Sequence, residues 1–208
     1  MTTAKQGLDK TKYLSRDEVK KLQRAIEDKC LVDLARGRET WVRNWAIINF
    51  TLHTGLRVQE VSNIKLRDID FSPKMPIVHV KGKGGKFGVV HLDDQVRKHL
   101  KSYLAWRMKS RGENLNNDDH IFFSKQGKKI SPRALQHVFK RALDVAGLPF
   151  HYSFHSLRHS YGTYLYEKTR DLRLVQKQLR HSKIGTTQIY ADITPESMVK
   201  GVNGIWEG

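Results

Sequence analysis

The stretch from Ile77 to Leu92 differs from the rest of the chain and limits the folds open to it. Ile77–Val80 and Gly88–Leu92 are short runs rich in β-branched residues, separated by the lysines and glycines of residues 81–86. Glycine permits the positive φ angles that a tight hairpin requires. With Asp68–Phe71 as a candidate third strand, the sequence predicts one small antiparallel sheet.

Apolar residues elsewhere recur at helical spacing. Ser15 and Glu18 fit a capping box, Gly55 ends one helix, and Ser131 followed by Pro132 starts another. The predicted fold class is mainly α with a small antiparallel β-sheet of about three strands. Helices are predicted from Ser15, over Glu39–Thr54, from Arg57, and over Asp93–Lys109, Ser131–Ala146, His155–Lys168, Leu172–Arg180 and Thr186–Ala191, with a tail helix from Thr194.

One packed domain is the simplest organisation for this chain. Its 208 residues can bury a core without cross-links, and they contain no repeat, low-complexity tract or Pro/Ser-rich linker. Cys30 is the single cysteine, which excludes an intrachain disulfide and a thiol-based zinc site. We predict a flexible segment over 1–14, the main domain over 15–192, and a C-terminal tail helix over 193–208.

The charge balance indicates a polyanionic partner. Lysine and arginine number 38 against 21 acidic residues, a formal net charge of +17. Neutralising phosphates releases counterions and drives binding, so nucleic acid is favoured and an anionic membrane surface is the main rival. The first fifteen residues lack an apolar signal core, and the longest apolar run, Trp45–Leu52, is interrupted by Asn49. We therefore expect a cytoplasmic protein without membrane spans.

Two short motifs contain candidate anion-binding arginines. Arg57 follows Gly55 at a predicted helix start, where it could bind a phosphate or simply pair with Glu60 one turn later. His155 and Arg158 share one helix face. His155 and His159 also have metal-ligand spacing, but Ser156 stands where a zinc-protease helix has glutamate. A metal site is the less favoured reading.

Three further candidates carry weak signals on their own. Lys83 lies at the hairpin tip between Lys81 and Lys86, and taken alone this is an ordinary basic turn. His181 is a lone histidine. Tyr190 is one of seven tyrosines, and it would need cationic neighbours to act as a nucleophile.

Taken together, these residues resemble the tyrosine recombinase (phage-type integrase) family. The matching sequence motifs are Thr54-Gly-Leu-Arg-Val-Gln-Glu60, Val80-Lys-Gly-Lys83-Gly, His155-Ser-Leu-Arg-His-Ser160 and Thr186-Thr-Gln-Ile-Tyr190. The resemblance spans roughly residues 13–195 and implies the catalytic-domain fold of that family, with double-stranded DNA as substrate and no metal or other cofactor.

The resemblance also implies a role for each residue. Tyr190 would attack a DNA phosphodiester and form a 3′-phosphotyrosine bond with release of a 5′-hydroxyl. Arg57 and Arg158 would clamp the non-bridging oxygens, Lys83 would protonate the leaving oxygen, His155 would assist proton transfer, and His181 would hydrogen-bond the phosphate. Glu60 matches the acidic residue that supports the first arginine.

Two features depart from the family pattern. Arg180 stands before the second histidine, where glycine is frequent, and a left-handed conformation there would cost about 1 kcal/mol. Few residues precede the first helix, although the family usually carries an N-terminal DNA-clamping domain. The chain is thus expected to be a catalytic-domain fragment or a short stand-alone recombinase.

The tail and the reaction class leave alternatives open. Tail residues after Tyr190 could pack on their own chain or dock on a neighbouring subunit in a tetrameric synapse, and the second is slightly favoured on DNA. The alternatives to a recombinase are a catalytically silent DNA-binding protein of the same fold and a type IB topoisomerase-like enzyme.

Overall fold

Seven α-helices, a short 3-10 helix (Leu66–Asp68) and a three-stranded sheet are the main regular elements in the described part of the chain. The computed structural model describes residues 12–81, 87–180, 199 and 201–206. The helices are α1 (Arg16–Ala35), α2 (Thr40–Thr54), α3 (Val58–Asn63), α4 (Asp94–Arg111), α5 (Pro132–Val145), α6 (Phe154–Thr169) and α7 (Leu172–Leu179), and the strands are β1 (Ile69–Asp70), β2 (Ile77–Lys81) and β3 (Phe87–His91). The predicted fold class is confirmed.

The predicted helix caps are present. Ser15 and Glu18 form the capping box of α1, in which each side chain accepts from the other residue's backbone N–H. Ser131 Oγ accepts from the Ala134 N–H at the start of α5, with Pro132 as the first helical residue. These caps satisfy donors that have no partner inside the helix, and so they set where each helix begins.

Helix α2 forms the centre of the fold and packs against α1, α4, α5 and α6. Nearly every residue of α2 is buried, polar ones included, which goes beyond what the helical spacing of its apolar residues predicts. Partners on α4 and at its start compensate this burial: Asn49 hydrogen-bonds His99, and His53 pairs with Asp93. At the end of α2, Gly55 takes the left-handed conformation at φ 61°.

The sheet has the order β1-β2-β3 and is antiparallel throughout. Val78, Val80 and Val90 are buried on its inner face, while Phe87 on the opposite face is 77% exposed. The buried Gln178 side chain of α7 exchanges two hydrogen bonds with the His91 backbone, at 2.7 and 3.1 Å. This amide satisfies edge groups of β3 and ties the sheet to α7.

Both ends of the described chain contact α6. Leu14, which the sequence assigned to the flexible segment 1–14, is fully buried, and its backbone bonds the hydroxyls of Ser160 and Tyr164. At the other end, Val202 and Ile205 are buried, and the Trp206 ring lies 5.5 Å from the Tyr164 ring between centroids. The predicted helix Thr186–Ala191 and the start of the tail lie outside the described residues.

The described helices include no segment with the length and apolar character needed to cross a membrane.

Two helix-ending glycines permit a test of close packing. Gly55 and Gly112 both have φ 61°, but a Cβ on Gly55 would lie 2.6 Å from Tyr161 Cδ1 and 2.7 Å from Leu179 Cδ2, whereas Gly112 faces open space. Gly112→Ala should cost about 1 kcal/mol of unfolding free energy, and Gly55→Ala roughly 2–4 kcal/mol because overpacking is added. Denaturant titration measures both, and equal losses would contradict the close approach.

Candidate active site

Arg57 is the N-cap residue of α3, and Glu60 holds it from two sides. The Arg57 backbone N–H donates to Glu60 Oε2 at 2.7 Å, and its Nη1 donates to Glu60 Oε1 at 3.1 Å. The pairing that the sequence left as an alternative is therefore present. Because the Arg57 side chain is still 39% exposed, pairing does not prevent contact with a further anion.

Glu60 is the buried anion of this cluster. Burial alone would raise its pKa, but the backbone N–H of Arg57 and the charge of Arg180 act in the other direction, and the net pKa is lowered. Glu60 is therefore an ionised carboxylate at neutral pH, with only 7% of its side chain exposed.

Arg158 lies near Arg57 and connects α6 to the ends of α2 and α7. Its side chain on α6 is buried, with Nη1 donating to the Gly55 carbonyl at 2.6 Å and Nη2 donating to the Leu179 carbonyl at 2.6 Å. Burial, followed by the nearby positive charge of Arg57, lowers the pKa of Arg158 to about 10. Arg158 thus remains charged at neutral pH, and the structure brings the two predicted arginines together.

Small residues let the end of α7 approach this cluster. Leu179 packs against Gly55 and Gly162, where added Cβ atoms would lie 2.7 and 2.9 Å from its methyl carbons. Such distances are too short for any larger residue without displacement of Leu179. The α7 C-terminus, from which the chain continues toward His181, is consequently held beside Arg158.

His155 and His159 lie at a cavity of about 560 Å³ between α6 and α7, which Arg158 and Leu179 also line. Both residues are partly accessible to solvent, and their ring centroids lie 5.3 Å apart. The partial burial of His155, then the charges of His159 and Arg158, lower its pKa below the ordinary value. A neutral imidazole can accept a proton at neutral pH.

Arg180 is a member of this cluster that the sequence did not assign to the site. It ends α7 in the left-handed conformation, at φ 54° and ψ 47°, which for a residue other than glycine costs about 1 kcal/mol. Its Nη2 lies 2.6 Å from Glu60 Oε1. The departure from the family's frequent glycine was the one sequence signal that could have drawn attention to it.

Three of the six predicted site residues, Lys83, His181 and Tyr190, lie outside the described residues. The hairpin strands that precede and follow residues 82–86 are described, and Lys81 pairs with Phe87 as their last register pair. The described residues that converge are Arg57, His155 and Arg158, together with Glu60 and Arg180.

The described cluster carries more positive than negative charge. Two guanidinium groups, those of Arg57 and Arg180, pair with the one carboxylate of Glu60, and the third, that of Arg158, donates to two neutral carbonyls. Such an excess of buried and half-buried cations favours binding of an oxyanion, and the bidentate geometry of arginine suits a phosphate. Within the described ranges, His, Cys, Asp and Glu side chains form no group of three that could hold a metal ion.

The protonation of His155 is directly testable. Replacing its neighbour, His159→Gln, should raise the pKa of His155, because it removes a positive charge that disfavours the imidazolium. Proton–nitrogen NMR titration of the imidazoles provides the measurement, with His120→Gln, in the loop bridged to Lys65, as the control that leaves His155 unchanged. A wild-type pKa at or above the ordinary value would contradict the assignment.

Comparison with known proteins finds relatives that match most of this chain. The tyrosine recombinase XerC of Lactobacillus leichmannii is 32% identical over 186 residues, which cover 89% of this chain and 60% of that protein. XerC of Caldanaerobacter subterraneus subsp. tengcongensis is 35% identical over 193 residues, with coverages of 92% and 50%. The chain therefore spans about half to three-fifths of the length of these relatives.

Solved structures show the same fold. The XerH site-specific recombinase bound to palindromic difH substrate, in a post-cleavage complex, matches with a TM-score of 0.70 and 27% identity over 90% of this chain and 51% of that chain. XerA recombinase matches with a TM-score of 0.67 and 27% identity over 91% and 63%. The phage integrase family model matches residues 12–197. Since this match covers nearly the whole sequence, the chain belongs to the phage integrase family.

Proposed function

We propose that this chain is the catalytic domain of a site-specific DNA recombinase, over residues 15–192, which cuts and rejoins DNA through a covalent tyrosine–phosphate bond. The observation that carries the proposal is the convergence of Arg57 and Arg158 beside His155, with the Arg158 guanidinium fixed by two carbonyls. Arg57 lies far in sequence from His155 and Arg158, and all three belong to motifs by which the chain resembles the family. Integration, excision and inversion all use this chemistry.

The reaction exchanges one phosphodiester for another. The Tyr190 hydroxyl passes its proton to the neutral imidazole of His155 and attacks phosphorus. The bond from phosphorus to the 5′-oxygen breaks, that oxygen keeps the electron pair, and Lys83 donates a proton to it. Arg57 and Arg158 stabilise the charge on the non-bridging oxygens of the pentavalent transition state. His155 assists proton transfer and His181 donates a hydrogen bond to the phosphate. Rejoining runs the same steps in reverse, with a 5′-hydroxyl as nucleophile.

This chemistry requires no cofactor. Cationic side chains supply the charge stabilisation that a metal supplies in other phosphoryl-transfer sites, and the phosphotyrosine bond conserves the energy of the broken linkage, so ATP is not needed for rejoining.

Double-stranded DNA is the proposed substrate. The net charge of +17 provides a strong phosphate-binding contribution, and two XerH structures similar to this chain are complexes with difH substrate. A cytoplasmic location is inferred from this substrate. A catalytically silent DNA-binding protein would not need the paired arginines and the neutral imidazole, and a topoisomerase-like enzyme would use the same site without an assembled synapse.

Self-association on DNA is the proposed role of the tail, residues 193–208. Its described residues pack on their own chain: Asn203 Oδ1 accepts from the Asp94 N–H at 3.1 Å, and Ile205 is buried. In the proposed tetrameric synapse, the tail of one subunit would make its contacts on a neighbour, so that cleavage is coupled to assembly.

A covalent adduct tests the nucleophile. With a nicked suicide substrate that carries the protein's own recombination site, wild-type protein should form an adduct that denaturing electrophoresis resolves, even in excess chelator. Tyr190→Phe should abolish it, because phenylalanine has no nucleophilic oxygen. An adduct that survives this substitution would exclude Tyr190, and dependence on metal would contradict the cationic mechanism.

The role of Arg57 in binding the phosphate can be tested against a matched control arginine, Arg67. Arg57→Ala should reduce the cleavage rate about a hundredfold or more, as for removal of other preorganised donors. Arg67→Ala removes a similar arginine whose partner is the exposed Asp118, and single-turnover cleavage should stay within about threefold of wild type because an exposed pair contributes little. Equal rates for both variants would remove Arg57 from the mechanism.

A further inference from the structure

We propose that Arg180 is a positioning residue that fixes strands β2 and β3, and through them the segment that carries Lys83, against the Arg57–Glu60 pair. The inference deepens the proposed function and rests on it, because the hairpin matters through the proton that Lys83 would donate.

The Arg180 side chain lies across the hairpin close to its tip. A Cβ built on Gly88 would be 2.6 Å from Arg180 Cδ, so the aliphatic stem of Arg180 lies directly on the β3 backbone. Its Nη1 donates to the Val80 carbonyl at 3.4 Å. Val80 and Gly88 are register partners, and one pair separates them from residues 82–86. Arg180 thus contacts both strands at the register pair that precedes the last one before residues 82–86.

The other terminal nitrogen of the same guanidinium contacts Glu60, the partner of Arg57. Nη2 lies 2.6 Å from Glu60 Oε1, with only 13% of the Arg180 side chain and 7% of the Glu60 side chain exposed. Glu60 Oε1 also accepts from Arg57 Nη1. One carboxylate therefore joins Arg57 to Arg180, and Arg180 joins the carboxylate to the hairpin.

The chemistry of the site explains why this position has an arginine. A planar guanidinium can donate to a carbonyl through one nitrogen and form an ion pair with a carboxylate through another, whereas a lysine ammonium is a compact point charge on a flexible stem. The backbone at Arg180 has φ 54°, a conformation that glycine adopts more easily. Strained backbone is retained where the side chain has a role that requires it.

The consequence concerns the leaving group. If the hairpin loses its attachment, Lys83 is misplaced relative to the 5′-oxygen, while Arg57 keeps both its bonds to Glu60 and Arg158 keeps its two carbonyls. Misplacement by about 1 Å can reduce a rate by about a hundredfold. The defect should therefore appear in protonation of the leaving oxygen and leave activation of the phosphate intact.

A 5′-bridging phosphorothiolate separates these two steps. In that substrate sulfur replaces the 5′-oxygen, and the P–S bond breaks as the tyrosine–phosphorus bond forms. The thiolate leaves with the electron pair and needs no proton, because a thiol is much more acidic than an alcohol. On ordinary DNA, Arg180→Gly should slow single-turnover adduct formation about ten- to a hundredfold. On the sulfur substrate, the rate of adduct formation by Arg180→Gly should be within about threefold of the wild-type rate.

Reference variants calibrate the assay. Lys83→Ala should show the same rescue by sulfur, because it removes the proposed acid itself. Arg57→Ala should be slow on both substrates, because it removes charge stabilisation that both reactions need. Gly88→Ala provides an independent route: its methyl group would displace the Arg180 stem without altering any charge, and we expect the same selective, sulfur-rescued defect. Circular dichroism verifies that each variant is folded.

Two results would overturn the inference. Equal slowing of Arg180→Gly on both substrates would assign Arg180 to the phosphate instead of the hairpin, and wild-type rates on ordinary DNA would remove any role for it. Failure of the proposed function is distinguishable, because wild-type protein would then form no adduct with either substrate.

Discussion

The buried guanidinium of Arg158 is the interaction on which the arrangement of the site depends. It donates to the Gly55 carbonyl at the end of α2 and to the Leu179 carbonyl at the end of α7. Carbonyls at helix C-termini lack partners within their own helix, and hydrogen bonds from a charged donor contribute about 1.5–3 kcal/mol each. One side chain thus fixes the loop that leads to Arg57 and the segment that leads to His181.

The charges around Arg158 are only partly compensated, and this imbalance is a property of the fold. Glu60 is the carboxylate that Arg57 and Arg180 share, and the pKa of Arg158 is lowered by burial and by the neighbouring Arg57. Burying cations without full compensation is unfavourable, so the hydrophobic contacts of α2, α6 and α7 must hold them together. In the proposed reaction, a DNA phosphate would supply the missing negative charge.

Local signals in the sequence were sufficient for most of the secondary structure. The capping box at Ser15, the left-handed Gly55 and the short β-branched runs each act over a few residues, so their effect can be predicted without the fold. The burial of α2 could not be predicted in this way. Asn49 and His53 are polar, and only their partners on α4 and at its start, distant in sequence, make their burial possible.

The sequence by itself determined the family motifs, the fold class and the identity of Arg57, His155 and Arg158 as site candidates, because these depend on residue type and spacing. Lys83, His181 and Tyr190 stay predictions of the same kind. Only the tertiary structure decided that Arg57 and Arg158 converge and that Arg180 joins Glu60 to the hairpin. Those contacts link α3, α6, α7 and the sheet. Their distances depend on the close approach of Leu179 to glycines of α2 and α6, and no local sequence pattern encodes that approach.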